Sequence, residues 1–179
     1  VNAYKNRGTY HAWRGDIDRA MQAYAKAMEL APDEPEMHRN LGVLELLRGN
    51  FEVGWREYRW RWRCPEAAQY HYTQPKWQGE PLDGKTILLY AEQGLGDTLH
   101  FIRFARTLRE RGARTLVHAQ GVLSGLLQST TGIDLFIPQL QGVEHPFDTH
   151  CSLIDVADIL GICEDNVPWS EGYLRPADY

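Results

Sequence analysis

Cysteine is scarce in this 179-residue chain: three residues, Cys64, Cys151 and Cys163, an odd number. That excludes a disulfide scaffold and fits a reducing, cytoplasmic setting. No apolar run is long enough to span a bilayer, and no N-terminal secretory pattern is present, so no membrane span is expected. An excess of basic charge is missing too. The net charge of −5 argues against nucleic acid as a partner. No G-K-[ST] follows a glycine loop, which excludes a phosphate-cradling Walker loop. The Gly94-x-Gly96 pair lacks the third glycine of a dinucleotide fingerprint, since Leu99 stands there, and Asp97 puts negative charge where a phosphate would rest. The spacing of His145, His150 and Cys151 matches no common zinc pattern, so neither a metal nor a cofactor is expected.

What is present divides in two. Residues 1–80 carry 12 Lys and Arg against 11 Asp and Glu, whereas residues 81–179 carry 7 against 13. The chain starts at Val1 inside a helical pattern, so a fragment is expected.

The first part matches itself at an offset of 34 positions. Asn6 aligns with Asn40, Gly8 with Gly42, Arg14 with Arg48, Gly15 with Gly49 and Tyr24 with Tyr58. Gly8 and Gly42 are small enough for two helices to approach, and Gly15-Asp16 and Gly49-Asn50 supply turns that need positive φ. The pattern predicts helices near 3–14, 17–30, 35–48 and 51–63. Period and residue roles resemble the tetratricopeptide repeat family. That resemblance implies protein or peptide binding, through residues such as Lys5, Asn6 and Asn40. Two repeats are fewer than the roughly three usually needed for independent stability.

The last of these helices carries Phe51, Trp55, Tyr58 and Trp62 on one face, with arginines at 56, 59 and 63 beside it and Arg61 opposite. An aromatic stripe at helical spacing reads first as core, with the arginine stems covering it. Trp60 lies off the stripe and is the candidate for a second contact.

Residues 64–84 hold three prolines and two glycines without apolar periodicity, and their tyrosines and Trp77 predict a connector that packs onto its surroundings. Domains are therefore expected at 1–63 and 85–179, with a packed connector over 64–84. From 85 onward, short apolar runs alternate with helical stretches. Strands are predicted at 86–91, 115–119, 134–137 and 147–151, with helices between them and one near 153–161. This alternation predicts a parallel sheet, making the fold class α plus α/β. In such sheets ligands bind beyond the carboxyl ends of the strands, where the loop at 92–97 sits.

The run Glu92-Gln-Gly-Leu-Gly-Asp-Thr-Leu-His100, with Trp77-Gln-Gly-Glu-Pro-Leu82 before it and Pro146-Phe-Asp-Thr-His-Cys-Ser-Leu153 after it, resembles bacterial tetratricopeptide proteins with a glycosyltransferase-like domain. These are similar to heptosyltransferases and to O-linked N-acetylglucosamine transferases. The resemblance implies the Rossmann-like, acceptor-facing N-terminal half of a GT-B fold, with Asp97 as the base that takes the acceptor hydroxyl's proton. His100 is a second catalytic candidate, and Gln93, Gly94 and Gly96 are the binding residues of the loop. The nucleotide-sugar half is not found before Tyr179, so the chain alone is expected not to complete a transfer. Two alternatives accompany this expectation. The chain could be an adaptor in which the α/β part only caps the repeats, or it could form a homo-oligomer through an unfilled domain edge. A stripe of Arg103, Arg106 and Arg109 on the helix after Asp97 reads as a solvated face or as a seat for an acidic partner.

Overall fold

The computed structural model describes residues 1–67 and 70–174. The chain divides into two compact units, Val1–Gln69 and Tyr70–Tyr179. The division falls inside the stretch read as connector. From Tyr70 onward that stretch belongs to the second unit, because Trp77 N–H donates to the His150 carbonyl at 2.8 Å and Lys76 bridges His150 in parallel.

The first unit is helical: α1 Asn2–Trp13, α2 Ile17–Leu30, α3 Pro35–Leu47 and α4 Phe51–Tyr58, the last running into a 3₁₀ turn over Arg59–Arg63. The 34-residue offset is physical. Arg14 and Arg48 end α1 and α3 at φ −84°, ψ −1° and φ −85°, ψ −2°. Gly15 and Gly49 follow at φ 74° and 79°, in the left-handed region that favours glycine. Asp16 and Asn50 then open the next helix at φ −86°, ψ 73° and φ −84°, ψ 70°. The glycines inside α1 and α3 are there for close approach. A methyl on Gly8 would come within 2.4 Å of the Tyr24 ring, and one on Gly42 within 2.5 Å of the Tyr58 backbone nitrogen. Ala20, Tyr24, Ala27, Met37 and Leu44 form the core. Helix α3 has Glu34 as its N-cap and Pro35 as its first residue, and no side chain caps it.

Tightening after Tyr58 changes the fate of one arginine. In a 3₁₀ turn residues three apart eclipse. Arg61 therefore lies under Tyr58 and is 4% exposed, with its guanidinium 4.8 Å from the Tyr58 ring and 4.7 Å from the Trp62 ring. Regular helical spacing had put it on the opposite face.

The second unit holds four parallel strands: β1 Thr86–Tyr90, β2 Arg114–Ala119, β3 Leu135–Pro138 and β4 Thr149–Ser152, in the order β3-β2-β1-β4. The α plus α/β class is thus observed. The strands are buried almost end to end, which is why they read as short continuous apolar runs. The amphipathic stretch after β1 forms α5 Leu95–Phe101 and α6 Arg103–Glu110, joined at buried Ile102. Gly112 ends α6 at φ 84°. A short α7 (Ser124–Leu127) precedes β3, and α8 (Leu153–Ile159) follows β4 directly. Helix α6 packs on β2, α7 on β3 and α8 on β4. Register and alternation place Leu88, Tyr90, Leu116, His118, Ile137 and His150 on one sheet face. Tyr72, Val143 and Phe147, from extended segments, cover its centre. Among the described residues no helix is long and apolar enough to cross a membrane.

Candidate functional site at the strand ends

From β1 the chain winds through β2 to β3, then returns to place β4 on the other side of β1. Connections leaving the carboxyl ends of β1 and β4 run into α5 and α8, which pack against each other, and in open α/β sheets ligands bind beyond such strand ends. Glu92 stands just after β1 and Ser152 ends β4. The Ser152 hydroxyl donates to the Glu92 carboxylate and accepts from the amides of Ile154 at 3.2 Å and Asp155 at 3.4 Å, so one side chain caps α8 and holds the half-buried Glu92. Gln120, just past β2, fixes the loop from the other side. Its amide donates to the Gln93 carbonyl at 2.8 Å, and its oxygen accepts from the Thr98 hydroxyl at 2.8 Å.

Within this frame the expected residues Gln93, Gly94, Gly96, Asp97 and His100 form one exposed segment. Asp97 uses Oδ2 to accept the Gly94 N–H at 3.1 Å, and among the described residues Oδ1 has no protein partner. A helix-capping role and an available carboxylate oxygen thus coexist in one side chain. His100 lies edge-on to Phe101 at 4.9 Å. Partial burial lowers its pKa, with Arg103 adding to that and Asp97 opposing it.

The two loop glycines differ from those of the helical unit. Gly94 has φ −71°, which any residue adopts, and Gly96 is not among the positive-φ glycines. A methyl at Gly94 would meet only the Asp97 carboxylate at 3.5 Å, and one at Gly96 would meet nothing within 4 Å. Neither backbone strain nor internal crowding calls for glycine here.

Behind the loop lies a nest of rings. Tyr70, Tyr72 and Tyr90 pack with His118, His150 and Phe147 at centroid distances of 4.7–6.0 Å. The Tyr70 hydroxyl donates to the Ala91 carbonyl at 2.9 Å and accepts from Gln139 at 2.8 Å, which supports the loop's first residue. Burial pushes Tyr72 up to about 12 and raises Tyr90 well above the usual phenol. His118 and His150 are 6% and 9% exposed, and burial holds both pKa values below the ordinary 6.5. His118 Nε2 and His150 Nδ1 are buried without a hydrogen-bond partner among the described residues.

The remaining expected residues, Lys5, Asn6, Asn40 and Trp60, lie in the helical unit. Lys5 pairs with Glu36 at 2.7 Å, joining α1 to α3, and that hydrogen bond raises its pKa. Asn6 is exposed, and Asn40 is half-buried beside Arg39. Trp60 is not an open platform. It stacks on His38 at 3.8 Å and 9°, while the Arg63 guanidinium lies 4.1 Å from its centroid, so both ring faces are occupied. His38 is held at Nδ1 by Glu57 and at Nε2 by the Pro32 carbonyl, both at 2.6 Å. Sequence reasoning did not single out Glu92, Thr98, Gln120 or Ser152. Glu92, Gln120 and Ser152 share a signal of position, within or just after the last residues of three parallel strands, whereas Thr98 lies in α5.

No family model matches the chain. A stretch of 105 residues, 55% of the chain, is 30% identical to the protein FlbA of Caulobacter vibrioides. The chain spans 17% of that protein's length. Among the described residues no cluster of His, Cys, Asp and Glu could hold a metal ion.

Proposed function

We propose that the α/β unit is the acceptor-side, Rossmann-like part of a GT-B glycosyltransferase-like domain, and that the helical hairpins are tetratricopeptide repeats that dock a protein or peptide. The observation that carries this reading is the pair Gly94 and Gly96. With no demand from strain or packing, the remaining physical reason for two glycines is backbone that lies against a ligand. A hydroxyl-rich acceptor suits the surroundings, which offer a carboxylate at Asp97, a second at Glu92 and exposed amides between them.

In this reading Asp97 Oδ1 accepts the proton of the acceptor hydroxyl as that oxygen attacks the anomeric carbon of a nucleotide sugar, whose bond to the diphosphate oxygen breaks so that the nucleoside diphosphate leaves with the electron pair. The Gly94 N–H on Oδ2 fixes the carboxylate's orientation. Glu92 is anchored by Ser152 at the end of β4, beside this loop. Donor binding is no part of the role assigned to these residues.

The test is a chemical-shift titration of the chain with a panel of mono- and oligosaccharides. Shifts confined to Gln93–His100 and lost in Gly96→Ala are expected. A panel that leaves this segment unmoved overturns the reading.

A further inference from the structure

The arginine stripe on α6 does not face solvent alone. Arg103 and Arg106 line a cavity of about 250 Å³, together with Ser129, Thr130, Thr131, Gly172 and Tyr173. Among the described residues no carboxylate lines it, and its two charged lining groups are both guanidinium. Three features organise it. First, each guanidinium is seated on a ring: Arg103 lies 4.3 Å from the Tyr173 centroid and Arg106 lies 3.4 Å from that of Trp169. Stacking fixes the plane of the fork and leaves its edge to donate.

Second, Trp169 holds that seat in a costly conformation, φ 56°, and it is the only non-glycine residue with positive φ among those described. Its indole N–H is tied to the Thr107 hydroxyl at 3.1 Å. Third, the turn bearing the hydroxyls is pressed against α6. Gly132 sits at φ 100°, and a methyl there would lie 2.4 Å from the Arg106 backbone.

The donors are in surplus. Arg106 Nε donates to Glu110 at 3.2 Å, and its two terminal nitrogens have no partner among the described residues. Arg103 donates to the His100 carbonyl, the Pro168 carbonyl and the Tyr173 hydroxyl, which occupies three of its five N–H groups. The Thr131 hydroxyl makes no hydrogen bond within the described chain. The Ser129 and Thr130 hydroxyls donate to the Leu126 carbonyl at 3.5 and 2.9 Å, so two stacked forks with free hydrogens and the Thr131 hydroxyl are what the site offers a tetrahedral dianion.

The geometry points to a phosphoryl-binding site between α6 and the turn at 129–132, filled by inorganic phosphate or by the phosphate of a small monoester. It adjoins the end of α5 through the Arg103 bond to the His100 carbonyl, and it does not depend on the function proposed for the loop at the strand ends.

Calorimetric titration of the intact chain at constant ionic strength tests it, with inorganic phosphate in one arm and glucose 6-phosphate in the other. Saturable binding of either is expected, and tighter binding of the sugar phosphate assigns an ester as the occupant. Arg106→Gln should weaken binding tenfold or more, and Thr131→Ala severalfold. Arg109→Gln, which removes the same charge from the same helix, should change it less than twofold, because Arg109 pairs with Asp134 outside the cavity. Thermal melts check that each variant is folded, and Thr131→Ala, an exposed hydroxyl deletion, carries the test should an arginine variant unfold. Absence of saturation in both arms, or equal loss in Arg106→Gln and Arg109→Gln, overturns the proposal.

Discussion

The helical unit and the α/β unit use the same residue types for opposite reasons. Glycine in the helices is a packing residue, and methyls at Gly8, Gly42 or Gly54 would sit 2.4–2.7 Å from neighbouring atoms. Glycine in the loop after β1 touches almost nothing. Buried histidine differs in the same way. His38 has both ring nitrogens bonded and a ring stacked on it, whereas His118 and His150 each keep one buried nitrogen without a partner. The helical unit spends its special residues on closing itself. The α/β unit leaves some of its own unmatched, and those stand at or behind the strand ends.

That contrast can be broken by substitution. The largest effect is expected for His38→Ala, which removes the ring nitrogens that meet Glu57 Oε2 and the Pro32 carbonyl and strips the stack from Trp60. A loss of about 3–4 kcal/mol is expected in the helical unit, read by hydrogen exchange of the α3 and α4 amides. Gly42→Ala should follow at about 2–3 kcal/mol, because the clash is with Tyr58 backbone, which cannot step aside. Retained protection of α4 in that variant would mean the hairpin is looser than its geometry implies.

A graded effect is expected from pH. The pKa values of His118 and His150 are lowered by burial, so the folded state binds fewer protons than the unfolded one. Their contribution is complete above the unfolded value near 6.5 and is lost as pH falls through the lower folded values. Amides of β2 and β4 should lose protection between neutral and mildly acid pH, and His118→Gln should flatten that dependence. The smallest effect has the opposite sign. Gly96→Ala should stabilise the α/β unit by about 0.5 kcal/mol, since alanine suits a helix and nothing crowds it. A melt that shows destabilisation would reveal an internal reason for that glycine.

Much of this was legible in the sequence because it is local. The 34-residue offset located both inter-helix turns and the close approach at Gly8 and Gly42, since turn chemistry and helix spacing act within a few residues. All four strands were legible in the sequence, although the fourth starts at Thr149, two residues after the expected position; Asp148 just before it donates its N–H to the Thr86 carbonyl and accepts the Thr86 N–H on its carboxylate. What escaped depends on register across the sheet or on a change of helical pitch. Arg61 is buried only because the helix tightens after Tyr58. Glu92 meets Ser152, and Gln120 meets Gln93 and Thr98, only because strands far apart in sequence end at the same height. The seating of Arg106 on Trp169 spans sixty-odd positions and leaves no periodic trace.

The Gln120 side chain uses its donor on one segment and its acceptor on another. A single-atom exchange, Gln120→Glu, removes the donor and sets an oxygen against the Gln93 carbonyl while leaving the bond to Thr98 possible. The tip of β2 thereby ties two segments by two separable bonds, and Gln120→Glu should free the Gln93 peptide while α5 stays tied through Thr98.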